Sequence, residues 1–334
     1  MNTETVCIGM DVHDGYSQVA VMDPDGTDPD SRRLEDADVE EFAREHAGAK
    51  VAIEASSVYR HIYDTLDEYV DVTLVNPKKT RVIAEAKVKT DKIDAEMLAH
   101  LLRADLVAES YVPPADIRRR RDLVRERKRL IDDRTRYKNR IRSVLKQSGN
   151  SMRRSPFSNE GRERLAALEL ESIDRKRIDS SFRMIDELTD EIASYDAEIK
   201  TIAREDEQVQ LLETILGVGP ISAVTVTAEI GEIDRFSSAE KLVSYAGLDP
   251  TVQQSGQRET RGPISKEGSS VLRWMLVQCA NNVVIHGNEY FVEFYDRLRR
   301  RKNKYVARVA TARKVLVSMY HMLTRGEEFA PTGG

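Results

Sequence analysis

The sequence is poor in cysteine and tryptophan, and it lacks any long apolar run. Its 334 residues include two cysteines, Cys7 and Cys279, and one tryptophan. Two cysteines cannot build a disulfide framework, so we expect a reducing, cytoplasmic location. No apolar run approaches the roughly 20 residues that span a bilayer, and residues 1–4 lack the basic start of a signal peptide, so we expect neither a membrane protein nor a secreted one. The six histidines are scattered, and their spacing predicts no zinc site.

Charge is unevenly distributed along the chain, whose net charge is −5. Residues 117–154 carry 16 Lys or Arg against 4 Asp or Glu, while the rest of the chain is acidic. A block this basic is typical of a surface that binds a polyanion, most often nucleic acid. The alternative is a solvated helix face, but there acidic residues would balance the basic ones. We therefore expect phosphate-backbone contacts from this block, above all from a run of four arginines: Arg118, Arg119, Arg120 and Arg121.

The first third of the sequence predicts an α/β layer. Apolar residues predict a strand over 5–11 and, after an Asp14-Gly15 turn, an antiparallel partner over 16–22. The segments that follow are a strand near 32–34, a helix over 37–47, a strand over 50–55, a helix over 58–69, a strand over 71–75 and a helix over 91–104. A hairpin followed by alternating strands and helices is typical of an α/β layer. Pro113-Pro114 marks its end.

The rest of the chain has a helical pattern. A seven-residue apolar repeat starting at Leu123 and a 3–4 spacing starting at Phe182 predict two long helices, which form an antiparallel coiled-coil arm, a dimer seam or ordinary intradomain packing. Gly217 and Gly219 separate two apolar runs and predict a helix-hairpin-helix element with phosphate-binding N–H groups, or a simple tight turn. Further segments are helices over 237–246, 269–285 and 305–324, around a polar loop over 249–266.

Four acidic residues stand where predicted strands end or a helix begins: Asp11, Glu54, Asp91 and Asp94. Any one of them alone is most often a surface residue or, like Asp91, a helix cap. Together, carboxylates from a first strand, a neighbouring strand and a following helix can converge at one edge of a sheet. Such oxygen ligands select Mg²⁺ or Mn²⁺. Two such ions about 4 Å apart clamp the attacking and leaving oxygens of a phosphodiester.

The motifs around these acids resemble those of the DEDD transposases of insertion sequence family 110, which are related to Piv and MooV. In the first half, the similar segments are Gly9-Met10-Asp11-Val12-His13, Glu54-Ala55-Ser56, Asn76-Pro77, Lys89-Thr90-Asp91-Lys92-Ile93-Asp94-Ala95 and Lys138-Asn139-Arg140-Ile141. In the second half they are Gly217-Val218-Gly219-Pro220, Tyr245-Ala246-Gly247-Leu248-Asp249-Pro250, Ser255-Gly256, Gly262-Pro263-Ile264-Ser265-Lys266-Glu267-Gly268 and Leu272-Arg273. The chain departs from the family pattern at Asp14, where the family often has Lys, and at Ser57, where it often has Gly.

The resemblance implies a domain order as well as a fold. Residues 1–112 would form a RuvC-like domain with a ribonuclease-H fold, and residues 113–207 a basic helix with a coiled-coil region. Residues 208–326 would form a helical carboxy-terminal transposase domain that carries a serine loop, followed by a tail over 327–334. The implied fold class is thus α/β plus all-α.

The resemblance also implies a reaction. Asp11, Glu54, Asp91 and Asp94 would hold two Mg²⁺ or Mn²⁺ ions, and Ser255 would be the nucleophile that forms a covalent phosphoserine link with DNA. Ser265 and Ser269 are weaker candidates. The residues that we expect to contact nucleic acid, besides the four arginines, are Lys138, Arg140, Gly217, Gly219, Arg258, Arg261 and Lys266.

The partners that the resemblance implies are DNA, a structured bridge RNA that guides target choice, and further copies of the chain in a dimer or tetramer whose active sites combine two protomers. One alternative is a RuvC-like nuclease that hydrolyses branched DNA. A second is an actin-like or sugar-kinase fold, for which the sequence lacks an adenosine loop and a second phosphate motif. A third is a nucleic-acid-binding protein without catalysis.

Overall fold

The computed structural model describes residues 5–26, 29–56, 58–76, 80, 90–150, 152, 154–255 and 258–330. The side chains of residues 252–255 and 258–261 lie outside the described part. The chain divides into two compact units, Met1–Val112 and Pro113–Gly334. Among the described residues, we find no helix with the length and apolar character needed to cross a membrane.

The first unit is built on a five-stranded sheet. Its strands are β1 (Cys7–Val12), β2 (Tyr16–Met22), β3 (Asp30–Glu35), β4 (Lys50–Glu54) and β5 (Asp71–Val75). The order across the sheet is β3-β2-β1-β4-β5. The pairs β1–β2 and β2–β3 are antiparallel, whereas β4 and β5 extend the sheet in parallel with β1. Gly15 takes a φ of +88° between β1 and β2, a conformation that suits glycine, so the predicted hairpin is confirmed.

Among the described residues, three helices cover the two faces of this sheet: α1 (Val39–Glu45), α2 (Tyr59–Leu66) and α3 (Asp91–Arg103). The even-numbered side chains of β1 are buried in one cluster with α1 and α2. Cys7, on the opposite face, is buried in a cluster with Leu98 of α3. Because side chains alternate along a strand, Asp11 lies on the α3 face. The predicted α/β class is confirmed, and this mixed sheet is consistent with a RuvC-like domain.

The second unit is mostly helical. Its helices are α4 (Ala115–Gln147), α5 (Asn159–Ala166), α6 (Ser172–Glu205), α7 (Glu207–Glu213), α8 (Pro220–Ile230), α9 (Ala239–Tyr245), α10 (Ser270–Ile285), α11 (Glu289–Arg301) and α12 (Lys304–Arg325). The main core gathers apolar residues from α8, α10 and α12. Every residue of α8 from Ser222 to Ile230 is buried, which makes this helix the centre of the unit.

The two long helices α4 and α6 pack against each other in antiparallel fashion within one chain. Arg127 pairs with Asp196, and Arg134 donates a hydrogen bond to Thr189 at 3.2 Å. A later residue of α4 thus contacts an earlier residue of α6, as expected for antiparallel helices. Near the far end, Ile141 of α4 shares a buried cluster with residues of α6. The repeats that predicted these helices are therefore satisfied inside the chain.

Two predictions of local structure are corrected. The segment predicted as a polar loop forms a two-stranded antiparallel hairpin, β6 (Pro250–Ser255) and β7 (Arg258–Ile264). Backbone pairing holds these strands together, although their polar sequence lacks the apolar alternation of a strand. The sequence pattern also missed α11, which is rich in charge.

Candidate active site and nucleic-acid contacts

Close packing between β1 and α3 positions the candidate site. A Cβ atom added to Gly9 would lie 1.9 Å from the carbonyl oxygen of Ala95 and 2.6 Å from the backbone nitrogen of Ala99. The glycine thus lets the backbone of α3 touch the strand. Asp11 follows two residues later on the same face, and Asp91 stands one turn before Ala95. This contact brings the end of β1 to the start of α3.

Asp91 is free of the capping role that its position suggested. Thr90 is the N-cap of α3, and its Oγ1 accepts a hydrogen bond from the backbone N–H of Ile93 at 3.3 Å. Because this contact is the one expected of an N-cap side chain, the carboxylate of Asp91 can turn toward β1.

Asp11, His13 and Asp91 form a compact cluster. The Nε2 atom of His13 lies 3.2 Å from Oδ2 of Asp11 and 3.3 Å from Oδ2 of Asp91. The exposed fraction of the side chain is 19% for Asp11, 33% for His13 and 53% for Asp91. The imidazole ring stacks on Tyr16 with centroids 4.9 Å apart, which fixes its orientation.

The donor set of this cluster fits a divalent cation. One ligand atom from each residue lies within 4.8 Å of the other two. Ligands about 2.1 Å from a six-coordinate ion lie roughly 3–4 Å apart, so the spacing is suitable. The Nε2 atom of His13 is buried, and neither carboxylate contact is aligned as a hydrogen bond. A neutral imidazole would direct its lone pair into the same space as the two carboxylates.

Glu54 and Asp94 lie near this cluster in the fold but are not part of it. In the parallel pairing of β1 with β4, Met10 is opposite Ile53, so the residues that follow them, Asp11 and Glu54, occupy adjoining positions on the same face. Asp94 lies in the first turn of α3 and is half-buried. Within the described residues, the structure brings together two of the four predicted acids, Asp11 and Asp91, with His13 as the third member.

His13 is a site residue that the sequence prediction missed. A zinc site is recognised by several histidines or cysteines at short spacing, and His13 belongs to no such set. The available signal was the Asp-x-His spacing, because residues i and i+2 at the end of a strand share a face. His13 therefore joins Asp11 and Asp91 in the candidate cluster, although it was not among the predicted metal ligands.

The serine predicted as nucleophile ends β6. Ser255 pairs with Arg258 across the hairpin, but the side chains of Ser255, Arg258 and Arg261 lie outside the described part. The two weaker serine candidates are engaged by carboxylates in the described structure. Ser265 donates to Asp249 at 2.7 Å and Ser269 donates to Glu229 at 2.8 Å.

Of the four arginines predicted to contact nucleic acid, two are structural. Arg121 is buried, and its guanidinium donates to the carbonyl oxygens of Ala228 at 2.7 Å and Glu229 at 2.9 Å. Arg120 pairs with Asp206. A buried guanidinium that satisfies the last carbonyls of α8 is not available to a phosphate, so the prediction is corrected for Arg121. Arg118 is half-buried, which leaves Arg119 as the fully exposed member.

Other predicted contact residues are better placed for a polyanion. Arg140 is exposed and lies over the ring of Tyr137, and Lys138 lies near the ring of Phe157. Burial, and then the neighbouring Arg134 and Arg142, lower the pKa of Lys138. Such crowding of positive charge is relieved when an anion binds.

The two glycines of the α7–α8 turn have different roles. A Cβ atom on Gly217 would lie 2.7 Å from the backbone of Val283 in α10, and its φ is +99°. Gly217 is therefore explained by close packing rather than by phosphate binding. A Cβ atom on Gly219, the N-cap of α8, would meet nothing within 4 Å. Lys266, in a left-handed conformation with φ +56°, is exposed.

Two family models match the chain. A model of the DEDD transposases of the IS110 family, described as "Transposase", matches residues 8–149, which include the Asp11–His13–Asp91 cluster. A model described as "Transposase IS116/IS110/IS902 family" matches residues 209–296, which include Ser255. Together these matches span more than two thirds of the 334 residues.

Curated relatives extend the similarity over nearly the whole length. The "Transposase for insertion sequence element IS1111A" of Coxiella burnetii is 27% identical over 96% of this chain and 90% of its own. The "Probable family 20 transposase" of Pseudomonas aeruginosa is 27% identical over 97% of this chain and 98% of its own. The "Pilin gene-inverting protein" of Moraxella bovis is 31% identical over 37% of this chain and 39% of its own.

Proposed function

This chain belongs to the IS110 family of DEDD transposases, enzymes that cleave and rejoin DNA, and from that premise we propose how its own residues carry out the reaction. The proposal has three parts: a metal site on a RuvC-like domain, a serine nucleophile, and nucleic-acid contacts on the helical unit.

The observation that carries the proposal is the convergence of Asp11, His13 and Asp91 where β1 ends and α3 begins. The two carboxylates and the imidazole would hold one divalent cation, Mg²⁺ or Mn²⁺. Glu54 on the adjoining strand and Asp94 in the first turn of α3 would hold a second ion and complete the four-acid set. When bound, the ions offset the charge of the phosphate and lower the pKa of the attacking hydroxyl.

Ser255 attacks the DNA. Its oxygen forms a bond to phosphorus, the bond from phosphorus to the adjoining sugar oxygen breaks, and the proton lost by the serine is matched by the proton gained by the sugar hydroxyl. One strand end is then held on the serine, and attack by a sugar hydroxyl of another strand reverses the step and rejoins DNA without an external energy source. A serine needs help from a base or metal to attack, and the acidic cluster supplies it. Ser255 lies within the segment that the second family model matches.

The helical unit binds nucleic acid. Arg119, Lys138 and Arg140 contact a phosphate backbone from α4, and Gly219, Arg258, Arg261 and Lys266 contribute from the carboxy-terminal half. A structured guide RNA pairs with the DNA that is to be joined. The chain acts as a dimer or tetramer, and the α4–α6 pair forms a coiled-coil arm. The exposure of Arg119 and Arg140 supports the backbone contacts, and the antiparallel packing of α4 on α6 supports the arm.

A hydrolytic nuclease is the second candidate, because the same metal cluster can activate water instead of a serine. One strand-cleavage experiment separates the two candidates. Labelled DNA is incubated with Mg²⁺ and the full chain, and the products are resolved on a denaturing gel that also displays protein bound covalently to DNA.

We expect Asp91→Asn to abolish cleavage while the circular dichroism spectrum and the melting temperature stay unchanged. Asp67→Asn, an exposed aspartate next to α2, is the matched control and retains cleavage. Ser255→Ala is expected to lose both cleavage and adduct, whereas Ser265→Ala retains them. Cleavage that persists in Ser255→Ala without an adduct would favour the nuclease. Full cleavage by Asp91→Asn would contradict the metal site.

A further inference from the structure

We propose that the connection between α11 and α12 is a second DNA-binding surface, which holds the phosphate backbone of duplex DNA. This surface, called here the basic turn, comprises residues 297–308. The inference rests on the proposed function, because duplex DNA is the polyanion on which a transposase acts. It adds a contact surface that lies outside both the basic block 117–154 and the serine hairpin.

The sequence around the basic turn has an extreme charge composition. Residues 297–325 contain ten Lys or Arg and no Asp or Glu. Five cations are fully exposed in one short stretch: Arg299, Arg300, Arg301, Lys302 and Lys304. This local density of positive charge is the electrostatic footprint of a site for a polyanion.

The cations of the basic turn differ from those of α4 in how they are paired. On α4, Arg125, Arg127 and Lys128 each form an ion pair with a carboxylate. In the described structure, by contrast, no ion pair or hydrogen bond engages the side chains of the five exposed cations. Lys304 lies over the ring of Tyr305, 5.2 Å from its centroid, but no carboxylate of the described residues offsets the five like charges. A bound row of phosphates would offset them.

The exposed cations have an alternative explanation that needs no ligand, because cations near a helix C-terminus interact favourably with the helix dipole. That effect is confined to the last turn, so it can account for Arg299, Arg300 and Arg301 at the end of α11. It also covers Lys302, the C-cap of α11, but it cannot account for Lys304, which begins the next helix, where the dipole opposes a cation. The run of charge across two helix ends therefore needs another reason.

The basic turn is also pre-organised. Asn303 caps α12, and its Oδ1 accepts hydrogen bonds from the backbone N–H groups of Tyr305 and Val306, both at 3.0 Å. The side chain of Tyr305 is 64% exposed, so its hydroxyl can reach a phosphate or sugar. Next to it, the Nε atom of Arg308 is buried and has no hydrogen-bond partner among the described residues. A fixed backbone reduces the ordering that binding would require.

Duplex DNA suits this surface better than other polyanions. It presents about one negative charge per 1.7 Å along its axis, and the five exposed cations of one short stretch supply a matching concentration of positive charge. A membrane surface would call for a wide apolar face beside the cations. The exposed large apolar residues of the basic turn are Tyr305 and Val306, which is too few for that role.

The test measures binding of the full chain to a fluorescently labelled DNA duplex by anisotropy, without divalent cations, over a range of salt concentrations. The variant is Arg299→Gln, Arg300→Gln and Arg301→Gln together. The matched control also removes three positive charges, but from arginines that form ion pairs on other surfaces: Arg33→Gln, Arg44→Gln and Arg177→Gln. Duplex RNA, vesicles with phosphatidylserine and poly-glutamate serve as competing ligands.

We expect the basic-turn variant to bind duplex DNA at least about tenfold more weakly. The salt slope, which is the slope of the logarithm of the binding constant against the logarithm of the salt concentration, should fall in magnitude by about 3, because each lost phosphate contact reduces it by about 0.9. The control variant should keep the wild-type slope within about 1. The inference would be overturned if the basic-turn variant kept the wild-type salt slope with DNA. It would also be overturned if the variant bound DNA normally and lost affinity only for RNA, vesicles or poly-glutamate. Either result would leave the proposed function intact. A wild-type chain that binds no DNA would contradict the proposed function itself.

Discussion

His13 stands between the carboxylates of Asp11 and Asp91, and its role can be tested without any reaction. If its Nε2 atom is a ligand, removing the ring takes away one of three donors that converge within 4.8 Å. We expect His13→Ala to weaken Mn²⁺ binding by at least about tenfold, as loss of groups around a metal typically does. Isothermal titration calorimetry on the protein alone gives the affinity.

The control for this measurement is His61→Ala, an exposed histidine on α2. It removes the same ring from the same unit without touching the cluster. Equal Mn²⁺ affinities in the wild type and in His13→Ala would show that the histidine is only a neighbour of the two carboxylates.

At this scale the sequence predicted chemistry better than contacts. Asp11 and Asp91 were identifiable because each stands at the end of a regular element, and the structure places them together. His13 was missed because a single histidine resembles many others until its partners are known. Arg121 was assigned to a surface because arginine is usually exposed. In the structure it is buried, and carbonyl groups at the end of α8 accept its hydrogen bonds.

Between whole elements, an ion pair between a half-exposed arginine and a buried carboxylate joins α4 to α8. Glu229 has a side chain that is 0% exposed, and its Oε1 and Oε2 accept hydrogen bonds from Arg125 at 2.7 Å and 3.0 Å. We expect Arg125→Met to destabilise the protein by about 3 kcal/mol, because it leaves a buried carboxylate without its cation. Urea denaturation monitored by circular dichroism measures the change in the free energy of unfolding.

The double variant Arg125→Met with Glu229→Met separates this electrostatic cost from lost packing. Replacing both partners of a buried pair by apolar residues of similar size is often close to neutral, so most of the stability should return. If the double variant is as unstable as the single one, the helices are held together by shape and not by this pair.

Elements with strong periodicity could be predicted, and those without it could not. The long repeats of α4 and α6 reflect a buried stripe that each helix presents to the other. In α11, a single residue is buried, Phe291, so a sequence of mostly charged residues carried little helical signal. The β6–β7 hairpin is held by backbone hydrogen bonds, which side-chain patterns do not report.

On the scale of the whole molecule, the sequence indicated an acidic α/β part followed by basic helices, and it could not reveal how charge is paired. Both 117–154 and 297–325 are basic in the sequence. In the described structure, Arg125 and Arg127 of α4 pair with carboxylates of α8 and α6, whereas no carboxylate pairs with the five exposed cations of the basic turn. Pairing depends on which helices become neighbours, and only the folded chain establishes that.

An oligomer of this chain can be tested for active sites that combine two protomers. If the acids and the serine that act on one phosphodiester come from different protomers, two inactive variants can complement each other. Asp91→Asn and Ser255→Ala chains carrying different affinity tags are coexpressed and purified through both tags, so that the preparation contains mixed oligomers. In a mixed dimer, one site receives both intact groups and the other receives neither, so we expect about half of the wild-type cleavage.

Each variant purified alone provides the baseline, and both should be inactive. A site built within one protomer would leave every site in the mixed oligomer with a defect, so cleavage would stay at that baseline. The mixed oligomer contains the same residues whether a site is shared or lies within one protomer. The amount of cleavage therefore depends only on which chain supplies Asp91 and which supplies Ser255 to a site. Recovery of cleavage would show that Asp91 and Ser255 of one active site come from two protomers. Its absence would show that they come from the same chain.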